Sequence, residues 1–377
     1  MSRPDSLTVA ERSVVLTLLA KLGPLIGLVF VWALFASLIG GKFVEWDNQR
    51  LMLLQTAVVG TAAVGATLII ISGGIDLSVG SSIALGTMVV ALLLKAGVPP
   101  ILAALGGVVG AMICGAVIGA MIVGHIGKLA APALCVLIAL WLWKAANLVL
   151  GALGCAVVVG VVYKLRDRLL RRVPLAPFIV TLGMWGALRG LAKGLGDNQP
   201  VYPDDLGWLA DLMAVSPTGI GAVLPPGVWI LLVLALIMAG VLRYTRFGRH
   251  IFAIGSNEQT ARLCGVHVDR TKLLIYTVGI GCAGLAALLQ FSYLTMGDPT
   301  TADGYELKVI AAVVIGGASL AGGEGSILGT IVGALIMTVV DNGCTKLGLD
   351  NWVQEIVTGA IIVAAVALDR LRHARAG

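Results

Sequence analysis

Residues 51–74 read LMLLQTAVVGTAAVGATLIIISGG and, after Ile75 and Asp76, residues 77–94 read LSVGSSIALGTMVVALLL. The first run carries no charged side chain over 24 residues. At 1.5 Å per residue that is about 36 Å of helix, enough to cross a hydrocarbon core of about 30 Å. A barrel strand would show roughly ten residues of alternating polarity, and neither run alternates. Because a chain in lipid must satisfy its own backbone hydrogen bonds, the pair predicts two membrane helices separated by a short Gly-Gly-Ile-Asp break.

Outward from this pair the same pattern repeats. Of 377 residues, 58% are hydrophobic and 12% charged, about half the charge of a soluble domain. The chain reads as an all-α polytopic membrane protein, a single transmembrane domain over 1–377. Helices are expected near 22–40, 51–72, 78–95, 99–124, 175–195, 227–243, 273–294, 307–322, 325–345 and 352–369. These ten core spans form a first half to about 124 and a second from about 174. The apolar stretch from Val14 to Ile39 is interrupted by Lys21, Gly23 and Pro24, and reads as a retained first span rather than a cleaved signal.

The net charge of +6 is a statement about orientation. Arg3, Arg12 and Lys21, then Lys164 to Arg172, then Arg243 to Lys272, then Arg370 to Arg375 all fall on one side when the spans alternate. Basic residues mark the cytoplasmic face, so both termini are expected inside and no nucleic acid is implied. Glu45, Asp47, Asp197, Asp204, Asp205, Asp211, Asp298 and Asp303 gather on the other face. Residues 129–163 are apolar but flanked on both sides by cytoplasmic charge. They are expected to enter the membrane and return, either as two short spans or as a re-entrant hairpin.

Six scattered cysteines with no paired spacing read as small packing residues. Cys264 and His267 are too few ligands for a metal, and no cofactor is implied. His125 and His373 are isolated at basic ends and read as solvated.

The chain also resembles itself. Gly73-Gly74-Ile-Asp-Leu77-Ser-Val-Gly80, followed by Leu85-Gly86-Thr87, aligns without a gap with Gly316-Gly317-Ala-Ser-Leu320-Ala-Gly-Gly323, followed by Leu328-Gly329-Thr330. Paired Gly-interrupted hydrophobic segments are how transporters build a central pathway. Gly73, Gly74, Asp76, Ser78, Gly80, Glu306, Gly316 and Gly317 are therefore candidates for a pathway or gate. The span count makes the repeat parallel; a re-entrant segment would make it inverted. Asp76 has two readings, a gate or ion-coupling carboxylate, or a helix N-cap, since Asp76 or Ser78 precedes the apolar run of the next helix. Glycines four apart, Gly186-Gly190-Gly194 and Gly325-Gly329-Gly333, with the pairs Gly106/Gly110 and Gly115/Gly119, suit close helix packing within the chain or a seam with a second copy.

Between the sixth and seventh spans lies Thr245-Arg-Phe-Gly-Arg-His-Ile-Phe-Ala-Ile-Gly255-Ser-Asn257-Glu-Gln-Thr-Ala261-Arg262-Leu-Cys-Gly265. Asn257 reads as an N-cap, and Gly265 closes a helix of about two turns. A short capped helix in a basic loop is either a docking element or a solvated connector.

This loop, with Gly73 to Ser81, Pro177-Phe178-Ile179-Val180-Thr181-Leu182-Gly183, and Gly304-Tyr305-Glu306-Leu307 leading to Ile315 to Leu320, resembles ribose-type permeases of ATP-binding-cassette sugar importers. The resemblance implies a bacterial inner-membrane permease for a monosaccharide or related polyol. It also implies as partners cytoplasmic ATPase subunits, a periplasmic binding protein, a second permease copy or paralogue, and membrane lipid. Arg246, Gly248, Arg249, Gly255, Asn257, Ala261, Arg262 and Gly265 would form the ATPase-coupling loop. Three features depart from the family pattern: Thr260 in place of alanine, Glu324 where a basic residue is common, and the 129–163 insertion. The chain has no GxxxxGK[ST] loop to bind nucleotide phosphates, so it is expected to be no enzyme and to take its energy from a partner. Two rival readings are an ATP-driven permease for a nucleoside, autoinducer or branched-chain amino acid, and an ion-coupled secondary transporter.

Overall fold

The computed structural model describes residues 9–125, 174–214 and 224–374, together with the isolated helical positions Gly154, Val157 and Gly160. The expected 129–163 insertion otherwise lies outside the described residues, as do Cys135 and Cys155. Among the described residues the secondary structure is helical, with one isolated β-bridge between Val201 and Gly297.

In chain order the helices are α1 (Val9–Ile39), α2 (Gly41–Val44), α3 (Trp46–Ile71), α4 (Val79–Lys95), α5 (Pro100–Ile122), α6 (Pro177–Leu195), a 3-10 turn (Gly207–Leu212), α7 (Pro226–Tyr244), α8 (Arg246–Ser256), α9 (Glu258–Leu263), α10 (Val268–Leu294), α11 (Tyr305–Ile315), α12 (Ile327–Lys346) and α13 (Asn351–Ala374). Each of the ten apolar segments coincides with a helix. Five, α3, α5, α7, α10 and α12, are long and apolar enough to cross a membrane, and α4 and parts of α1 and α13 are shorter apolar helices. The expected helix over 307–322 is shorter than its apolar run. It stops at Ile315 because Gly317 takes φ +92°, a conformation that cannot continue an α-helix.

The hub is α3, buried along nearly its whole length. One side meets α10 through glycines: a Cβ at Gly65 would overlap the Gly279 carbonyl oxygen, and α10 in turn lies against Gly115 and Gly119 of α5. The other side meets α12 through a ladder of buried polar pairs. Asn48 and Asn342 exchange side-chain amide hydrogen bonds of 3.0 and 3.1 Å, Thr56 donates to Thr338 at 2.9 Å, and Thr67 and Thr330 lie 2.7 Å apart. Apolar residues such as Phe30 of α1, Ile113 of α5, Leu236 of α7 and Val363 of α13 point outward, the arrangement of a bundle solvated by lipid tails.

The two repeated units can now be oriented. The ladder makes α3 antiparallel to α12. Lys308 facing Asp341, and Gly316 against Gly329, make α11 antiparallel to α12 as well. Hence α3 and α11 run in the same sense, each leading into its glycine break, and the repeat is parallel. The glycine stripes divide. Those on α5 and at the start of α12, with Gly325 just before it, pack against neighbours, apart from Gly110, whereas Gly186, Gly190 and Gly194 on α6 face open space.

Candidate functional site

The basic loop folds into two helices. Thr245 caps α8, its hydroxyl accepting from the Gly248 amide at 3.1 Å, and α8 can lie close against the end of α7 because Gly248 has no Cβ to strike the Leu242 backbone. Ile251 and Ile254 are buried beneath it. Asn257 caps α9 by accepting from the Thr260 amide at 2.9 Å, and Gly265, at φ +85°, follows its end. The capped helix stands as expected. The preceding helix, α8, was not legible, because its apolar residues are spaced among glycines and basic side chains.

The eight coupling candidates sort into two faces. Gly248, Gly255 and Ala261 face the protein, with Ala261 packed among Ile254 and Val268. Arg246, Arg249, Asn257, Arg262 and Gly265 face outward. Leu263, which the sequence did not single out, is 89% exposed at the tip of α9. Arg262 donates to Asp269 at 2.9 Å and lies 3.6 Å from Glu258, which also binds Lys272 at 2.7 Å. The Asp269 hydrogen bond, and then the charge of that carboxylate, raise the Arg262 pKa above its ordinary value.

Gly255 is the junction. A Cβ there would overlap the carbonyl oxygen of Ile71, the last residue of α3, and would press on the amide nitrogen of Gly323. The Gly323 amide itself donates to the Ile71 carbonyl at 2.8 Å, and a Cβ at Gly322 would come within 3.0 Å of the Gly73 backbone. The end of α8 and both glycine breaks therefore meet at one point.

Within the first break Asp76 is buried. Its Oδ1 accepts from the Ser78 amide at 2.8 Å and from the Ser78 hydroxyl at 2.6 Å, while Oδ2 has no hydrogen-bond partner. Ser78, not Asp76, occupies the cap position of α4, and its side chain makes no cap bond. Asp76 instead closes an Asx turn that fixes the entry to that helix. The Ile75 carbonyl accepts from Thr181 of α6 at 3.2 Å, tying the 177–183 motif to the break. Gly80 leaves room for the Glu306 carboxylate. Beyond the second break, Gly316 abuts Gly329, so α11 and α12 form a close hairpin.

One anchoring residue escaped sequence reading. Arg189, buried in α6, donates to the carbonyls of Thr301 at 2.6 Å and Pro299 at 3.2 Å and lies 3.8 Å from Asp303. It pins the 295–304 segment, and its signal was a lone arginine in an apolar helix. Among the described residues no group of three or more metal-ligating side chains occurs.

A lipid-solvated bundle with two glycine breaks wired to one capped loop is the build of a transport protein. The family described as "Branched-chain amino acid transport system / permease component" matches residues 50–126 and 123–366, and the chain belongs to this family of ATP-binding-cassette permeases. It is a multi-pass transport subunit and not an enzyme, and membership replaces the ion-coupled reading. The chain is 35% identical to the ribose import permease RbsC of Bacillus subtilis (strain 168), over 94% of each chain. It is 32% identical to the D-allose transport system permease AlsC of Escherichia coli (strain K12), over 93% of this chain and 92% of the relative. It is likewise 32% identical to the fructose import permease FrcC of Rhizobium meliloti, over 92% and 84%. No solved structure matches the chain.

Proposed function

We propose that this chain is the membrane-spanning permease of a sugar importer in a bacterial inner membrane, passing a monosaccharide or related polyol inward on ATP hydrolysis in a partner. Three full-length relatives with sugar names support the solute class, and the four basic clusters support cytoplasmic termini. The partners are cytoplasmic ATPase subunits, a periplasmic binding protein and a second permease copy or paralogue, with 1–377 forming one transmembrane domain of about ten spans.

The observation that carries the mechanism is the Gly255 junction. Arg246, Arg249, Arg262 and Leu263 present a basic and apolar outer face to the ATPase. A displacement of that face passes through α8 to Ile71 and Gly323. From there it reaches α4 and α12, the helices that leave the two breaks. Gly73, Gly74, Asp76, Ser78 and Gly80, with Glu306, Gly316 and Gly317, are the hinge and lining of the pathway so moved.

The test is uptake of labelled D-ribose, D-allose and D-fructose by cells carrying the complete importer. Import of at least one is expected. Import of a branched-chain amino acid or nucleoside, with none of the sugars taken up, would reverse the solute assignment and keep the permease.

A further inference from the structure

At the end of the bundle opposite the basic loop, α3, α10, α11 and α12, with Gln354 of α13, line a half-open cavity of about 200 Å³. This is smaller than the roughly 300–1,000 Å³ of sites for drug-sized ligands and of the order needed by one sugar ring. Its polar wall is formed by Gln55, Gln290, Tyr293, Tyr305, Lys308 and Asp341. The Gln55 amide oxygen is buried without a hydrogen-bond partner, an arrangement that is costly unless something else satisfies it. Gln290 is held in place by donating to Thr301 at 2.8 Å. Lys308 and Asp341 pair at 2.6 Å, and the Lys308 ammonium lies 5.5 Å from the centre of the Tyr305 ring.

The same ion pair also lines a second, wider cavity of about 460 Å³ between α11 and α13, where Asp303, Glu306 and Glu355 contribute carboxylates. The Lys308–Asp341 pair is thus a shared wall between an acidic vestibule and the smaller chamber.

We propose that the smaller chamber is a transient binding subsite for one neutral monosaccharide, entered from the acidic vestibule past the Lys308–Asp341 pair. Hydroxyls of the solute satisfy the Gln55 amide and share the ion pair, and tyrosine rings give its C–H face an apolar surface. The vestibule carboxylates repel anionic sugars such as uronates and sugar phosphates. This subsite rests on the sugar-importer reading and specifies it further.

The experiment uses the complete importer in proteoliposomes, with D-ribose, D-allose and D-fructose as probes. With a sugar that the wild type imports, Gln55→Leu is expected to raise the KM of uptake about tenfold, the equivalent of about 1.4 kcal/mol, while ATP hydrolysis stimulated by the binding protein is retained. Gln55→Asn should recover part of the loss. To separate solute contact from damage to the fold, Thr345→Cys at the chamber edge, in a background without native cysteines, is labelled with an aqueous thiol reagent. The imported sugar should slow that labelling, and its uronate should not. Uptake with an unchanged KM in Gln55→Leu, or labelling that no imported sugar slows, overturns the subsite and leaves the function standing. A wild type that imports a branched-chain amino acid or nucleoside and none of the three sugars overturns the sugar reading and the subsite with it.

Discussion

Gly255 has no side chain because the Ile71 carbonyl occupies the space where a Cβ would sit. Overpacking at such a point costs about 1–3 kcal/mol, and the only relief is for α8 to lift from α3. Gly255→Trp is therefore expected to abolish sugar uptake while the protein still inserts and the outward face of the loop still binds the ATPase. Ala261→Arg should act in the same way, since it drives a charge into the small cluster of Ile254 and Val268. Leu263→Asp alters the outward face alone and should lose copurification of the ATPase. Pull-down and uptake measured side by side separate the two classes. Had all three variants kept full uptake, the loop could not be the route of coupling.

Asn257 and Gly265 were legible as cap and stop because both act through local backbone geometry. The inward direction of Gly255 was not, since it depends on where Ile71 and Gly323 arrive from distant parts of the chain.

Between elements, the polar ladder joining α3 to α12 sets their register. In lipid there is no hydrophobic drive between helices, so packing and hydrogen bonds decide the pairing. Asn48 and Asn342 are both buried and reciprocally bonded. Removing Asn342 leaves the Asn48 amide oxygen without its donor, although the Asn48 amide nitrogen keeps the Phe43 carbonyl at 2.9 Å, and removing Asn48 takes both reciprocal bonds from the Asn342 side chain. A double-mutant cycle of Asn48→Ala and Asn342→Ala, read by thermal unfolding in detergent, should give a coupling of about 0.6–1.7 kcal/mol. Strict additivity would show that the pair contributes nothing to the association of the two helices.

The breaks offer a second test at this scale. Ala321 is exposed whereas Ser78 is fully buried. Cysteine at Ala321 should react readily with aqueous thiol reagents and change its rate when nucleotide is added to the complex. Cysteine at Ser78 should stay protected until the breaks separate. Labelling of both that is indifferent to nucleotide would count against a moving junction. Gly-Gly in both units announced the breaks in the sequence, but their meeting through the Gly323–Ile71 hydrogen bond joins residues some 250 positions apart, which no local signal encodes.

For the molecule as a whole, the orientation rests on the asymmetry of lysine and arginine. The 129–163 segment is expected to leave and return on one side, so it cannot invert later spans. Deleting Leu129 to Val162 should leave Lys128 and Tyr163 both cytoplasmic, with assembly kept and uptake at least partly retained. A reporter fused after Arg172 checks this: activity inside the cell before and after the deletion is the expected outcome, and inversion would show an odd number of crossings.

By itself the sequence determined that the chain is a helical membrane protein, where its apolar segments lie, where the two breaks and the loop cap fall, and which family it resembles. These follow from hydrophobic run length, charge asymmetry, and the local chemistry of glycine, asparagine and serine, all of which act over one or two helical turns. Only the tertiary structure decided that the repeat is parallel, that α8 precedes the capped helix, that Gly255 faces inward, and that Arg189 holds the 295–304 segment. Each of those depends on close approach of backbones or on buried hydrogen bonds between remote elements, and such contacts exist only once the helices have packed.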